Sequence, residues 1–336
     1  MKALSVQTPT ELSYVLIDKP VCEEGKSLLK VERIGICGTD LHAYEGTQPY
    51  FTYPRILGHE LALTVAETTD QDFAIGETVT IIPYFNCGEC ISCRMGKPNC
   101  CVNMKVFGVH VDGGMCEYVL IPNEYLVHGK GLGLDELALV EPLAIGAHGV
   151  RRASIEAGEF VLVIGAGPIG LGTIEFAKIA GAQVIVLDIN DHRLNFCHEK
   201  LGVTSIINGL KEDALLKIKE ITNGDMPTVV IDATGNLNAI NRGFDYLSHG
   251  GRYVLIGLQK GKISVVHPEF HKREATLMSS RNATKMDFEH VISSMKNGLI
   301  NPINYITHSV QFEEVIDHFD SWLKPQNHVI KALVRF

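Results

Sequence analysis

The stretch Val161-Leu162-Val163-Ile164-Gly165-Ala166-Gly167-Pro168-Ile169-Gly170 sets G-x-G-x-x-G directly behind an apolar run and at the head of a helical pattern. Each glycine has a separate duty in that context. Gly165 permits the tight turn from strand to helix, Gly167 lets a pyrophosphate approach the backbone at the helix N-terminus, and Gly170 lets helix and strand pack closely. Pro168 and Ile169 fill the positions between and open the helix. Asp188 closes the following apolar run, where a carboxylate accepts hydrogen bonds from ribose hydroxyls. A carboxylate there repels a 2′-phosphate, so NAD is favoured over NADP. Arg193 is the one nearby cation that could soften this preference, or it is a solvated helix residue.

Outward from this loop the rhythm is that of a parallel α/β sheet. A strand at 160–164 leads to a helix ending near Ala180, a strand at 183–187 and a helix at 191–201. A strand at 229–232, a helix near 238–246 and a strand at 252–256 continue it, and the alternation fades after about His271. The first half reads differently. Short β-rich segments such as 28–34, 61–67, 78–82 and 115–121, broken by Gly and Pro, suggest a small irregular barrel. The expected organisation is a catalytic domain from 1–147 with the tail 276–336, and a doubly wound Rossmann domain over 148–275.

At 336 residues the chain exceeds what one compact core usually supports. The formal net charge of -9 offers no diffuse positive field for nucleic acid or anionic lipid. The first residues lack the apolar run of a signal peptide, and no later stretch reaches membrane-spanning length. A small-molecule substrate, no nucleic-acid partner, no membrane and a cytoplasmic location are expected.

The nine cysteines are an odd number, and five crowd between Cys87 and Cys101. That is a poor disulfide plan and a good metal plan. Cys87, Cys90, Cys93 and Cys101 supply four thiolates, with Gly88, Gly96 and Pro98 letting the loop fold around a point. A tetrahedral zinc with all positions filled by protein braces a loop and does no chemistry. Cys100 competes for the fourth position. The acidic balance and the lack of a neighbouring basic helix argue against a zinc ribbon for nucleic acid.

A second set of ligand types is scattered: Cys37 in Gly35-Ile36-Cys37-Gly38-Thr39-Asp40-Leu41-His42, then Gly58-His59-Glu60, then Glu141-Pro142-Leu143. In the order C-G-T-D-x-H, G-H-E, four-cysteine lobe, E-P-L and G-x-G-x-x-G, the chain resembles the zinc-dependent medium-chain alcohol dehydrogenase family over nearly its whole length. Glu141-Pro142-Leu143-Ala144-Ile145-Gly146-Ala147-His148 is similar to the polyol and threonine dehydrogenase branch, which carries Glu where simple alcohol dehydrogenases carry Cys. By motif it resembles sugar-alcohol and sugar-acid dehydrogenases, among them L-galactonate or L-gulonate 5-dehydrogenases and starvation-sensing proteins.

The resemblance implies a GroES-like irregular β barrel joined to the Rossmann sheet, two zincs and one NAD per subunit, and a homodimer or homotetramer. It implies Cys37 and His59 as catalytic-zinc ligands, with Glu60 and Glu141 as exchanging ligands, directly or through water. Both assignments of the glutamates stay open. Thr39 maps to the hydroxyl that starts a proton relay and His42 to the histidine that passes the proton to solvent, while Asp40 is read as structural. Thr234-Gly235 matches a turn near the nicotinamide, and Arg281 an arginine that reaches the metal cleft or forms an interdomain salt bridge. Tyr44, Asn282, Glu45 and His110 are polar candidates around the substrate. Leu63 stands where relatives commonly have glycine, which implies a local packing change.

The implied reaction moves a hydride from a secondary alcohol of a sugar acid or polyol to NAD. The competing readings are an L-threonine 3-dehydrogenase-like activity and a non-catalytic NAD-binding redox sensor. Zinc-free quinone reductases of the same superfamily lack both ligand sets.

Overall fold

The computed structural model describes residues 1–49 and 51–336. It divides into two compact units, Met1–Pro142 with Ala283–Phe336, and Leu143–Asn282.

The first unit is organised by the strand Lys26–Ile36, which pairs antiparallel with Glu60–Glu67, Tyr118–Pro122 and Lys331–Arg335. Its Leu28, Leu29, Val31, Ile34 and Ile36 are buried, as a central strand requires. The sheet continues outward through Thr78–Ile81 and Leu126–His128 on one side and Ile306–Gln311 on the other. The C-terminal tail is therefore the strand beside Lys26–Ile36. Register sets the chemistry: Gly35 lies opposite Glu60 and Ile36 opposite Ala332. Cys37, His59, Glu60 and Lys331 thus meet at one end of three adjacent strands. Gly35 cannot carry a side chain, because a Cβ there would lie 2.1 Å from Glu60 Oε2. Leu63, at the position that often holds glycine, is fully buried opposite Val31 and Val79.

The second unit carries six parallel strands in the order Ser205–Asn208, Gln183–Asp188, Phe160–Ile164, Val229–Asp232, Arg252–Leu255 and Thr276–Ser279. This is the doubly wound order, whose reversal beside Phe160–Ile164 opens a crevice at the strands' carboxyl ends. Its core includes Leu162, Ile164, Ile185, Leu187, Ile207, Ile218, Val230 and Tyr253.

Both expected domain boundaries shift. The helix Val140–Ala153 starts ahead of the expected 147/148 crossing, and the division falls between Pro142 and Leu143 in its first turn, where proline costs no helical hydrogen bond. At the other end Thr276–Ser279 pairs with Arg252–Leu255, so residues 276–282 belong to the second unit rather than to the returning tail. The strand expected at 115–121 is shorter at its start: it spans Tyr118–Pro122, and Cys116 forms only an isolated bridge to Ala3.

Candidate active site and metal centres

In the second unit the glycine loop lies at the switch point. Gly165 adopts φ 98°, a conformation only glycine takes without strain, and Gly167 caps the helix Pro168–Ile179. A Cβ on Gly170 would lie 1.9 Å from the Gly165 carbonyl oxygen. A cavity of about 480 Å³ opens over this loop, lined by Gly165, Gly167, Asp188, Arg193, Thr234 and Arg242 among others. Pro168 and Ile169 belong to the helix start beneath it.

Asp188 has more work than the sequence suggests. Oδ2 accepts the Ala166 amide at 2.6 Å, and Oδ1 accepts those of Ile189 and Asn190 at 2.7 and 2.8 Å. The carboxylate ties the glycine loop to the end of its own strand while lining the cavity. A guanidinium nitrogen of Arg193 lies 3.7 Å from where a Cβ on Gly167 would sit, which places the cation at the phosphate cradle. The Thr234 hydroxyl donates to Asp232, 2.9 Å from Oδ2, and the Thr234 and Gly235 amides donate to Oδ1, which fixes the turn after the fourth strand.

In the first unit the four-cysteine lobe is assembled. One sulfur from each of Cys87, Cys90, Cys93 and Cys101 lies within 4.8 Å of all the others. Sulfurs about 2.3 Å from one zinc form a tetrahedron with edges of about 3.8 Å. The Cys90–Cys93 and Cys87–Cys101 sulfur pairs, at 3.5 and 3.4 Å, suit that figure. Amides of Cys87 and Asn103 donate to the Cys101 sulfur, each at 3.3 Å. Backbone donors from Cys93 and Val102 draw the Cys90 thiol down to about 6, while burial and neighbouring thiols push Cys93 up to about 12. All nine cysteines are unpaired by disulfides, and Cys100, the competing fourth ligand, is exposed and outside the group.

The second ligand set also converges: donor atoms of Cys37, His59 and Glu60 lie within 4.8 Å of one another. Asp40, read from sequence as structural, builds the frame. It is fully buried, accepts the Cys37 amide at 2.9 Å and the Gly58 amide at 3.3 Å, and stands 3.6 Å from His59 Nδ1. Burial raises its own pKa. For His59 burial acts to lower the pKa, but Asp40, Cys37 and Glu141 together lift it well above the ordinary value. The same negative surroundings that attract a proton in the metal-free protein attract a cation.

Glu141 is buried beside this group, though outside the 4.8 Å set. Its Oε1 accepts from the Tyr84 hydroxyl, and Oε2 has no hydrogen-bond partner among the described residues. Burial pushes Glu141 up to about 7, and Glu60 adds to the rise. A buried carboxylate oxygen without a partner is costly unless something charged completes it. Thiolate, imidazole and carboxylate donors in a buried pocket are the donor set of a catalytic zinc, and the residues present fit that ion. Sequence reading missed two members of the surroundings. Tyr84 carries no local signal, but Lys331 interrupts the apolar run Val329-Ile330-Lys331-Ala332-Leu333-Val334, and a lone cation there is a sign of a buried partner.

The other candidates are placed as follows. Thr39 is half-buried and His42 exposed, one turn apart on the helix Gly38–Tyr44; His42 Nδ1 lies 3.2 Å from Glu45 Oε2 and 3.3 Å from the Thr47 hydroxyl. The Tyr44 ring rests edge-on against Phe319 at 5.1 Å. His110 Nδ1 accepts the Val106 amide at 2.9 Å. Arg281 is exposed, and it ends the second unit with Asn282, whose φ is 54°.

Residues 23–131 match the alcohol dehydrogenase GroES-like domain and residues 168–297 the zinc-binding dehydrogenase family. L-galactonate-5-dehydrogenase of Escherichia coli K12 is 39% identical over 338 residues, covering 100% of this chain and 99% of that one. An L-threonine 3-dehydrogenase of Caldanaerobacter subterraneus is 35% identical over 245 residues, 71% of this chain and 70% of its own. The crystal structure of the alcohol dehydrogenase RspB of Escherichia coli CFT073, complexed with NADH, superposes with a TM-score of 0.92 at 32% identity, covering 100% and 99% of the two chains. Matches of this extent, on a fold with both metal-ligand groups and the nucleotide crevice in place, show that the chain belongs to the zinc-dependent, NAD-linked medium-chain alcohol dehydrogenase family.

Proposed function

We propose that the protein oxidises a secondary alcohol of a sugar acid or polyol with NAD⁺. The observation that carries this reading is the buried Cys37–His59–Glu60 group beside the partnerless Glu141 oxygen, in a chain alignable end to end with an L-galactonate-5-dehydrogenase. An L-threonine 3-dehydrogenase-like activity is the second reading; it is disfavoured because that relative matches only 71% of the chain. A redox sensor without turnover has less support, since the whole catalytic ligand set is present.

On this reading Cys37 and His59 hold the catalytic zinc with a glutamate, Glu60 or Glu141, and Cys87, Cys90, Cys93 and Cys101 hold a second zinc. When bound, zinc supplies the Lewis acidity that eases deprotonation of the alcohol, and NAD⁺ accepts the hydride. The protein's own groups do the rest. The amides of Gly167, Ile169 and Gly170 at the helix start receive the pyrophosphate, Asp188 accepts from ribose hydroxyls, and Arg193 adds positive charge at the cradle. Thr234 shapes the turn that borders the cavity. Thr39 Oγ1 takes up the alcohol's proton, and His42, in contact with solvent, releases it. Tyr44, Arg281 and Asn282 are the groups proposed to orient the substrate's further hydroxyls or its carboxylate.

NAD is preferred over NADP because Asp188 leaves no room for a second anion. A homodimer or homotetramer is supported by the outer strand Thr276–Ser279, where Leu277 is exposed, with Val265 and Val266 exposed nearby in the chain; light scattering that reports a monomer would exclude it. Among the described residues no helix is long and apolar enough to cross a membrane. Unpaired cysteines in two metal-binding groups fit a reducing cytoplasm.

The substrate class is tested by supplying zinc-replete enzyme and NAD⁺ with a panel of aldonates, polyols, ethanol and L-threonine, read at 340 nm. An aldonate or polyol should give the largest kcat/KM. If ethanol or L-threonine exceeds every polyhydroxylated substrate, the class is wrong, while the zinc and NAD assignments stand.

A further inference from the structure

The segment His42-Ala43-Tyr44-Glu45-Gly46-Thr47 closes the helix Gly38–Tyr44 and turns back on it. His42 and Glu45 are three residues apart and so share a face of the helix end. Gly46, at φ 77°, supplies the left-handed step, and the returning Thr47 and Gln48 amides donate to the His42 carbonyl at 2.9 and 3.1 Å. The turn folds a carboxylate and a hydroxyl around one ring nitrogen. His42 Nδ1 lies 3.2 Å from Glu45 Oε2 and 3.3 Å from Thr47 Oγ1, which is itself 3.3 Å from the His42 carbonyl oxygen.

For the neutral ring only one placement of protons satisfies all three contacts. An ionised carboxylate can only accept, so Nδ1 must carry the hydrogen that faces Glu45. Thr47 has a single hydroxyl hydrogen; given to the His42 carbonyl, it leaves Oγ1 free to accept from Nδ1 as well. The opposite tautomer would set the Nδ1 lone pair against a carboxylate. With Nδ1 committed as donor, Nε2 keeps its lone pair and is the nitrogen open to a new proton.

We propose that Glu45 and Thr47 are positioning residues of the proton relay, which fix His42 in its Nδ1–H form so that Nε2 receives the proton passed on from Thr39. The inference rests on the relay read above for Thr39 and His42 and adds what prepares the histidine for it. An N–H bond forms at Nε2 as the proton arrives, the imidazolium is held against the Glu45 carboxylate, and its surplus proton goes to water, which restores the neutral ring. Side-chain exposures of 63% for His42 and 40% for Glu45 give that water access. The same exposure bounds the effect: loss of an exposed pair should slow turnover by about two- to fivefold.

The test reads tautomer and kinetics side by side in wild type, Glu45→Gln, Glu45→Leu and the double variant Glu45→Leu/Thr47→Val. Magic-angle-spinning ¹⁵N spectra of histidine-labelled, zinc-replete protein in alkaline buffer, where imidazoles are neutral, distinguish the two tautomers. His42 is identified by the intensity missing from His42→Ala. It should be Nδ1–H in wild type and a mixture of both tautomers in the double variant. With the alcohol that wild type oxidises fastest, Glu45→Leu should lower kcat about two- to fivefold and leave KM unchanged. Glu45→Gln, whose amide oxygen still accepts from Nδ1–H, should recover most of that loss. An Nε2–H ring at position 42 in wild type would overturn the proposal. So would a raised KM with unchanged kcat in Glu45→Leu, which would assign Glu45 to the substrate instead. Failure of the relay reading itself looks different: His42→Ala would then turn over at the wild-type rate, whichever tautomer the wild-type ring shows.

Discussion

Two glycines of one loop, three residues apart, should fail in opposite ways when changed to alanine. A Cβ on Gly170 meets the Gly165 carbonyl oxygen at 1.9 Å and its carbon at 2.9 Å. That is about 1.5 Å short of ordinary contact, and the obstacle is backbone, so the helix Pro168–Ile179 must separate from the strand Phe160–Ile164. Overpacking of this kind costs about 1–3 kcal/mol and occasionally more. For a unit of this size the upper end corresponds to a fall in Tm of roughly 6–12 °C. Gly167 is the contrary case. Its φ is -76°, which any residue adopts, and the nearest atom to an added Cβ is the Arg193 guanidinium at 3.7 Å. Gly167→Ala should leave stability within about 0.5 kcal/mol of wild type. Its methyl group would project into the place where pyrophosphate must touch the backbone, so NADH affinity should fall at least about tenfold. Thermal unfolding without cofactor and NADH titration by fluorescence measure the two effects separately. Unchanged NADH binding in Gly167→Ala, or wild-type stability in Gly170→Ala, would refute the assignment of the loop.

Three other outcomes are expected. Cys90→Ser should release one metal per subunit and lower Tm, because a closed thiolate site contributes folding energy directly; retention of full metal content would contradict it. Asp188→Asn should weaken NAD⁺ binding and narrow the gap to NADP in kcat/KM; asparagine keeps an oxygen acceptor for the backbone amides that the side chain anchors. Glu159 gives an acid-stability test. Burial alone would raise its pKa, but the Glu156 amide, the Thr228 hydroxyl and Arg252 outweigh it and hold the carboxyl below its ordinary 4.5. A depressed folded pKa means stability fully present above the unfolded value and lost as pH falls through the folded one. Glu159→Gln should cost about 1 kcal/mol near neutrality and flatten the loss of stability below about pH 4.5; an unaltered acid arm of the stability profile would remove Glu159 from its cause.

The nucleotide crevice was legible because its signal is local: three glycines, an apolar run before them and a carboxylate at the next strand end lie within one supersecondary unit. The four-cysteine lobe was legible for the same reason. Thr276–Ser279 escaped because a four-residue edge strand with exposed Thr276, Leu277 and Ser279 has neither alternation nor a continuous apolar run. Ser205–Asn208 is equally short. The candidate ligands Cys37, His59 and Glu60 share no local motif and are united by register, Gly35 opposite Glu60 and Ile36 opposite Ala332, whereas Glu141, over a hundred residues beyond Cys37, arrives from the start of the helix Val140–Ala153. That same register delivers Lys331, which no motif would name. The sequence reads Asp40 as structural, which it is: one oxygen accepts the Cys37 amide, and the other steadies Gly58 and faces His59.

The most direct test of the whole account is a single comparison of wild type with His59→Ala, measuring zinc per subunit, Tm and NAD⁺ reduction with the best aldonate or polyol. Removing the imidazole from the Cys37–His59–Glu group should lower the zinc count from two to one, abolish turnover and leave the second zinc and most of the thermal stability in place. Undiminished turnover in His59→Ala, or one zinc in zinc-replete wild type, would contradict it.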